Sequence, residues 1–117
     1  MNPVPLFLLA ISLPLLLGGC GEKKVNFEEL VERQGIWYLV NSEKPFTGKS
    51  VSLHANGQKY LERNYKDGKQ EGLDVCWWYN GQRQIEVNYK DGNKVEVSEK
   101  YWTSKGEPVD TLGEAIK

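Results

Sequence analysis

The pattern of apolar and polar positions divides the chain into two regimes. Residues 6 to 17 form a twelve-residue apolar run, Leu-Phe-Leu-Leu-Ala-Ile-Ser-Leu-Pro-Leu-Leu-Leu. Later in the chain the period is two. Leu73, Val75, Trp77 and Tyr79 alternate with Asp74, Cys76, Trp78 and Asn80, and Ile85, Val87 and Tyr89 alternate with Gln84, Glu86 and Asn88. Alternation of that period predicts strands with one apolar and one polar face, because successive side chains of an extended chain point to opposite sides. Trp77, Tyr79, Tyr65, Tyr89 and Ile85 are the residues expected to share the apolar face. Helical spacing does not fit these segments, and their glycines and Asn-Gly pairs oppose a helix.

The strand-forming segments repeat. Residues 46–69 and 70–93 align without a gap, and eleven of their 24 positions are identical. Each copy holds an Asn-Gly pair (Asn56-Gly57, Asn80-Gly81) and an Asp-Gly pair (Asp67-Gly68, Asp91-Gly92). Both dipeptides are strong signals for two-residue hairpins, whose central residues take positive φ. A degraded third copy covers 94–106. In it Tyr101 and Trp102 follow Trp77 and Trp78 by 24 residues, whereas Gly106 follows Gly81 by 25, a slip of one. The expected fold class is all-β: an extended antiparallel β-hairpin meander that grows hairpin by hairpin, preceded by an N-terminal signal segment.

Outside the repeats, a hairpin over 30–48 is expected to lead into them. Leu30 to Arg33 would pair with Ile36 to Val40 across Gln34-Gly35. The competing reading is a short helix over Phe27 to Arg33, started by Asn26 with Glu29 three residues on. The strand-prone run Ile36-Trp37-Tyr38-Leu39-Val40 favours the hairpin. Residues 22 to 26 read as a polar tether and 107–117 as a tail with a short helical turn.

The apolar run at 6–17 is shorter than the roughly 20 residues a membrane-spanning helix needs, and Pro14 weakens a permanent helix. Its length suits a secretory signal, here residues 1–19. The sequence Leu17-Gly18-Gly19-Cys20 resembles a bacterial lipobox, which makes Cys20 the lipidated first residue of the mature chain and 20–29 its tether. No Lys or Arg precedes the run, a departure from the usual signal. Gly21 in place of Asp favours the outer membrane, facing the periplasm, by resemblance to lipoprotein sorting in diderm bacteria. With Cys20 acylated, Cys76 has no intramolecular partner and reads as a semi-buried side chain.

Charge sharpens the picture by exclusion. The 15 basic and 16 acidic residues nearly cancel and form no block of one sign, so no phosphate-neutralising surface for nucleic acid is expected. Four Trp, six Tyr and three Phe supply ample aromatic area for a small β-rich domain. His54 is the only histidine, which with Cys76 and scattered carboxylates gives no metal-ligand spacing. No phosphate loop and no catalytic constellation is present, so neither an enzyme nor a cofactor or metal is expected.

The Asn-Gly-Gln and Tyr-Lys-Asp-Gly elements, together with Gly35-Ile36-Trp37-Tyr38 and Pro45-Phe46-Thr47-Gly48, resemble the MORN-repeat variant of many bacterial proteins. The resemblance covers residues 30 to 106. It implies a non-catalytic repeat module, in some relatives labelled an antitoxin of toxin–antitoxin systems and in others a lipoprotein. One constellation points to binding: His54, Trp78 and Trp102 are spaced by 24 and, in register, form an aromatic row on the polar face with Tyr60. Such a row suits pockets on a protein partner or stacking on a sugar ring, with shielding of the sheet as the competing role. The expected function is a lipid-anchored protein-interaction module at the cell envelope, of antitoxin or immunity type, with glycan or lipid binding as the alternative.

Overall fold

A computed structural model describes residues 23–117. The apolar run at 6–17 and Cys20 lie outside the described residues. Among the described residues strands dominate, and helix is confined to single turns. In chain order the elements are β1 (Lys24–Asn26), a 3-10 turn (Phe27–Glu29), β2 (Leu30–Arg33), β3 (Ile36–Leu39), β4 (Gly48–Leu53), β5 (Lys59–Lys66), β6 (Lys69–Trp77), β7 (Arg83–Lys90), β8 (Asn93–Lys94), β9 (Lys100–Trp102), β10 (Pro108–Val109) and α1 (Leu112–Ala115). One eight-stranded sheet runs β10-β9-β7-β6-β5-β4-β1, with β8 also paired to β7. Every pairing in it is antiparallel except that of β1 with β4.

The two dipeptides of the repeat build different turns. Asp67 and Gly68 have φ of 51° and 85°, and Asp91 and Gly92 have 52° and 86°. Both central residues are left-handed, as a two-residue type I′ hairpin requires. Gln34-Gly35 makes the same turn between β2 and β3. At the Asn-Gly pairs only the glycine is left-handed (Gly57 88°, Gly81 90°), so the expectation of a two-residue turn there is corrected. His54 N–H donates to the Gln58 carbonyl (2.7 Å) and Gly57 N–H to the His54 carbonyl (2.9 Å), and the same pair of bonds closes Trp78 to Gln82. These are three-residue loops with the glycine at a bulge. A second bulge, three residues after each of these glycines, leaves Tyr60 of β5 and Gln84 of β7 unpaired, where the register shifts beside Ser52/Leu53 and Cys76/Trp77.

Register splits the residues expected on one apolar face: Tyr65, Ile85 and Tyr89 share one side of the sheet, and Trp77 lies on the other. Val51, Glu62, Val75, Glu86 and Lys100 are directly paired across five strands and therefore share a side. Ser52, Leu61, Cys76, Ile85 and Tyr101 form the next row, on the opposite side. Alternation in each strand is real, but adjacent strands meet one residue out of phase, so Val75 shares a face with Glu86 and Ile85 shares one with Cys76. A single-residue offset in register exchanges the faces of a whole strand.

The core sits at one end of the sheet. Val25, Leu30, Phe46 and Tyr65 are buried together, with Phe27, Trp37 and Leu39 packed against them. Ring contacts run from Phe27 to Trp37 (5.4 Å), Trp37 to Tyr65 (6.0 Å) and Phe46 to Tyr65 (5.6 Å). The β2–β3 hairpin thus caps the first repeat, as expected from its strand-prone residues, with backbone bonds Trp37 N–H to Gly68 O (2.8 Å) and Gly68 N–H to Phe46 O (2.8 Å). The helix-start signal is also used: Asn26 N–H donates to Glu29 Oε2 (3.0 Å) over the 3-10 turn. The tether residues 24–26, expected to be irregular, form β1, and the tail adds β10 to its expected short helical turn, α1, whose N-cap Thr111 accepts from Glu114 N–H (3.1 Å).

The third copy departs from the others where its extra residue enters. The segment between β8 and β9 turns at Glu96-Val97, with Val97 at φ 59° and 95% exposed.

Gly68 supplies the sharpest stability test. A Cβ there would collide with Ile36 Cγ2, whereas one at Gly57 meets nothing within 4 Å. Gly57→Ala should cost roughly 1–2 kcal/mol from its left-handed backbone alone. Gly68→Ala should cost about 2–4 kcal/mol by adding overpacking to that term. Urea unfolding midpoints of the two variants check the order.

Candidate functional site

The candidate site lies where three loops stack along one end of the sheet. The loops after His54, Trp78 and Thr103 share one backbone pattern, the third closed by Thr103 N–H to Glu107 O (2.8 Å) and Gly106 N–H to Thr103 O (2.9 Å). Asn56 Oδ1 accepts from Gln58 N–H, and Asn80 Oδ1 from Gln82 N–H, both at 3.0 Å. This is the turn-forming habit of asparagine. The free amides then reach sideways. Asn56 Nδ2 donates to the Tyr79 carbonyl (2.9 Å) and Asn80 Nδ2 to the Ser104 carbonyl (2.7 Å). Each loop is therefore tied to the loop one repeat later.

The ring nitrogens of the expected aromatic row do the same work. His54 Nε2 bonds to the Trp77 carbonyl (2.8 Å), and Trp78 Nε1 donates to the Trp102 carbonyl (3.0 Å). A carbonyl partner places the proton of His54 on Nε2. His54 packs edge-on against Tyr60 (5.1 Å) and Tyr79 (5.4 Å), and both tyrosines are exposed. The structure thus brings His54, Tyr60 and Tyr79 together and sets Trp78 one repeat along, half-buried. It does not bring Trp102 into that row. Tyr101 pairs with Ile85 as Cys76 does, so Trp102 is the counterpart of Trp77, and Thr103 that of Trp78. The one-residue slip of the third copy puts Trp102 on the opposite face.

That opposite face carries a second row, which the sequence reading passed over. Lys59 Nζ sits 4.7 Å from the centre of the Trp77 ring, and Trp77 pairs with Arg83. A 390 Å³ cavity is lined by Trp77, Gly81, Gln82, Arg83, Trp102 and Gly106. A smaller one of 150 Å³ continues it through Gln58 and Lys59, again bounded by Trp77 and Gly81. The signal was present in the repeat: Lys59 aligns with Arg83 and Glu62 with Glu86. The spacing of Gly81 and Gly106 already located the slip.

Electrostatics on this face are internally balanced. Lys59 bridges to Glu62 (3.0 Å), Lys49 reaches Glu62 from the other side (3.4 Å), and Arg83 bridges to Glu86 (2.6 Å). Desolvation acts to raise the Glu62 carboxyl, but the bonds and charges of Lys59 and Lys49 outweigh it and leave the pKa lowered. On the other face Arg63 Nε lies 3.3 Å from Asp74 Oδ2 without hydrogen-bond geometry. Burial dominates there and raises the Asp74 pKa against the pull of Arg63. Cys76 is half-buried with Sγ 3.4 Å from Gln84 Oε1, and burial, then the nearby Asp74 charge, push its thiol up. A thiol held protonated in this way is a poor nucleophile.

At the far end of the sheet the Asp-Gly turns are docked structurally. Thr47 Oγ1 accepts from Asp67 N–H (2.9 Å), and Glu71, at the same repeat position, accepts from Asp91 N–H (3.0 Å) and Lys90 Nζ (3.0 Å). These bonds, the backbone one first, hold the exposed Glu71 carboxyl below its usual pKa. Among the described residues, no group of three His, Cys, Asp or Glu is placed to hold a metal ion. In comparisons with known proteins, no family model, no curated protein and no solved structure matches the chain.

Two of the shifted carboxylates, Glu62 and Asp74, predict opposite pH dependences. Glu62, lowered in the fold, contributes stability that is present above its ordinary 4.5 and is lost as pH falls through the folded value. The stability deficit of Glu62→Gln should therefore shrink between pH 7 and pH 3. Asp74, raised above 3.8, favours the fold when protonated. Native protein should gain on Asp74→Asn over the same interval. Urea titrations of the three proteins at stepped pH check both signs.

Proposed function

We propose that the chain is an exported lipoprotein, anchored through Cys20, whose MORN-like repeat sheet serves as a non-enzymatic module for binding another protein at the bacterial cell envelope. The observation that carries this reading is the half-covered sheet. The β2–β3 hairpin buries the Tyr65 end, while Leu61, Ile85, Val87, Tyr89 and Tyr101 stay half-exposed on the same face. Beside them Tyr60 is 44% and Tyr79 58% exposed, both steadied by His54. Contiguous apolar and aromatic surface of this kind marks protein contact, and Tyr is among the side chains that dominate such contacts.

Anchoring rests on the lipobox resemblance at Leu17-Gly18-Gly19-Cys20. The first paired strand residue, Lys24, follows Cys20 by four positions, so the repeat sheet would be held close to the outer membrane, facing the periplasm in a diderm cell. Export favours an immunity-type role against a toxin met in the envelope over neutralisation of a cytoplasmic one.

Two outcomes test the proposal. Palmitate labelling and sedimentation with membranes should both be lost in Cys20→Ala. Labelling that persists would remove the anchor. A photo-crosslinking residue at position 79 of the full chain should capture one discrete protein in its own cells, and one at position 105, in the third loop, should not. Equal, diffuse capture at both positions would remove the protein-binding face.

A further inference from the structure

We infer that the groove on the other face, between Trp77 and Trp102, is a binding site for an extended, uncharged β-1,4-linked glycan. The inference rests on the envelope reading only for where such a glycan would be met. The site itself is independent of the His54–Tyr60–Tyr79 surface, which lies on the opposite side of the sheet.

Three observations select the ligand class. The first is spacing. Trp77 lies in β6 and Trp102 in β9, with β7 between them, so their columns are two strands, about 9.5 Å, apart. An extended β-1,4-linked chain presents the same ring face every second sugar, and one disaccharide step is close to that span. Two indoles so placed can each meet an alternate sugar through its apolar C–H face.

The second is charge. Arg83 and Lys59, the cations of the groove, are each held by a carboxylate of the same repeat, Glu86 at 2.6 Å and Glu62 at 3.0 Å. A polyanion would have to compete with these pairs. A neutral polyol would use them as they stand, since a paired guanidinium keeps free N–H donors and a paired carboxylate keeps free lone pairs. The third is the rim. Gln58 and Gln82 supply amides that both donate and accept, over loop positions Gly81 and Gly106 that carry no side chain. The Gln58 carbonyl would meet a Cβ at Gly81 at 2.6 Å, and that of Gln82 one at Gly106 at 3.1 Å, so each amide leans over the next loop. Residues at equivalent places in successive repeats thus form a short track with the periodicity of a polymer.

The test uses the full-length chain purified in detergent, titrated with chitohexaose and, as a control of different shape, the α-1,4-linked maltohexaose, read by tryptophan fluorescence and calorimetry. Chitohexaose should bind with a stoichiometry of one. Trp77→Ala and Trp102→Ala should each weaken binding at least tenfold, and Val40→Ala, at an exposed position just after β3, should leave it within twofold. Trp102→Phe, which keeps a ring, should restore most of the affinity if Trp102→Ala proves too unstable to measure. Absence of binding, equal affinity for maltohexaose, or insensitivity to both Trp77 and Trp102 would overturn the inference. Crosslinking of a protein instead of sugar at position 102 would do so as well. None of these results depends on palmitate labelling at Cys20, so failure of the glycan site and failure of the anchor are separately visible.

Discussion

The sheet depends on one constraint: each loop must satisfy polar groups of the loop beside it. A hairpin extended sideways in a single layer leaves loop carbonyls that no strand partner can reach, and those at Trp77 and Trp102, being part-buried, would be costly to leave unpaired. Here the side-chain amide of Asn56 and the ring nitrogen of His54 are spent on carbonyls at Tyr79 and Trp77. Asn80 and Trp78 repeat the arrangement onto Ser104 and Trp102. The repeat length of 24 is thus a physical distance as well as a sequence period. It is the number of residues the chain takes to return to the same height one hairpin further on.

This constraint decides which side chains remain available. His54 and Trp78 contribute to lateral cohesion through their nitrogens, leaving their ring edges, and the tyrosines lodged against His54, as the presentable surface. Trp77 and Trp102 have no such duty and line open space between the loops. The two faces of one thin sheet are therefore chemically distinct despite similar composition. One is mainly aromatic and apolar beside a buried cap, with the Arg63–Asp74 pair on it, and the other is aromatic with the Lys59–Glu62, Lys49–Glu62 and Arg83–Glu86 pairs.

Much of the architecture could be read from residues alone. The Asp-Gly turns, the Gln34-Gly35 hairpin and the strand content follow from local preferences, which the structure obeys. What could not be read was phase. A bulge at Tyr60 and another at Gln84 offset the extra residue of each Asn-Gly loop, and whether Asn56 sits at positive φ is decided by loop length, not by the dipeptide. The mixed faces follow from the pairing of Val75 with Glu86 and of Cys76 with Ile85, and the regrouping of Trp102 with Trp77 from the one-residue slip of the third copy. The short strands β1 and β10 were invisible for a different reason. Lys24–Asn26 and Pro108–Val109 have weak strand preference and are extended because a neighbouring edge offers partners.

The ends of the sheet have a consequence for how such a chain can change length. At one edge β10 is two residues long, begins with a proline that cannot donate to a further strand, and is followed by α1. At the other, β1 runs parallel to its neighbour and is tied to the buried cap. The β10 end therefore offers a poor template for another hairpin, whether from this chain or from a second copy. A whole 24-residue unit placed between the two existing ones would find its loop partners on both sides and create no new edge. Growth by internal duplication is therefore structurally cheap, and growth beyond β10 is disfavoured.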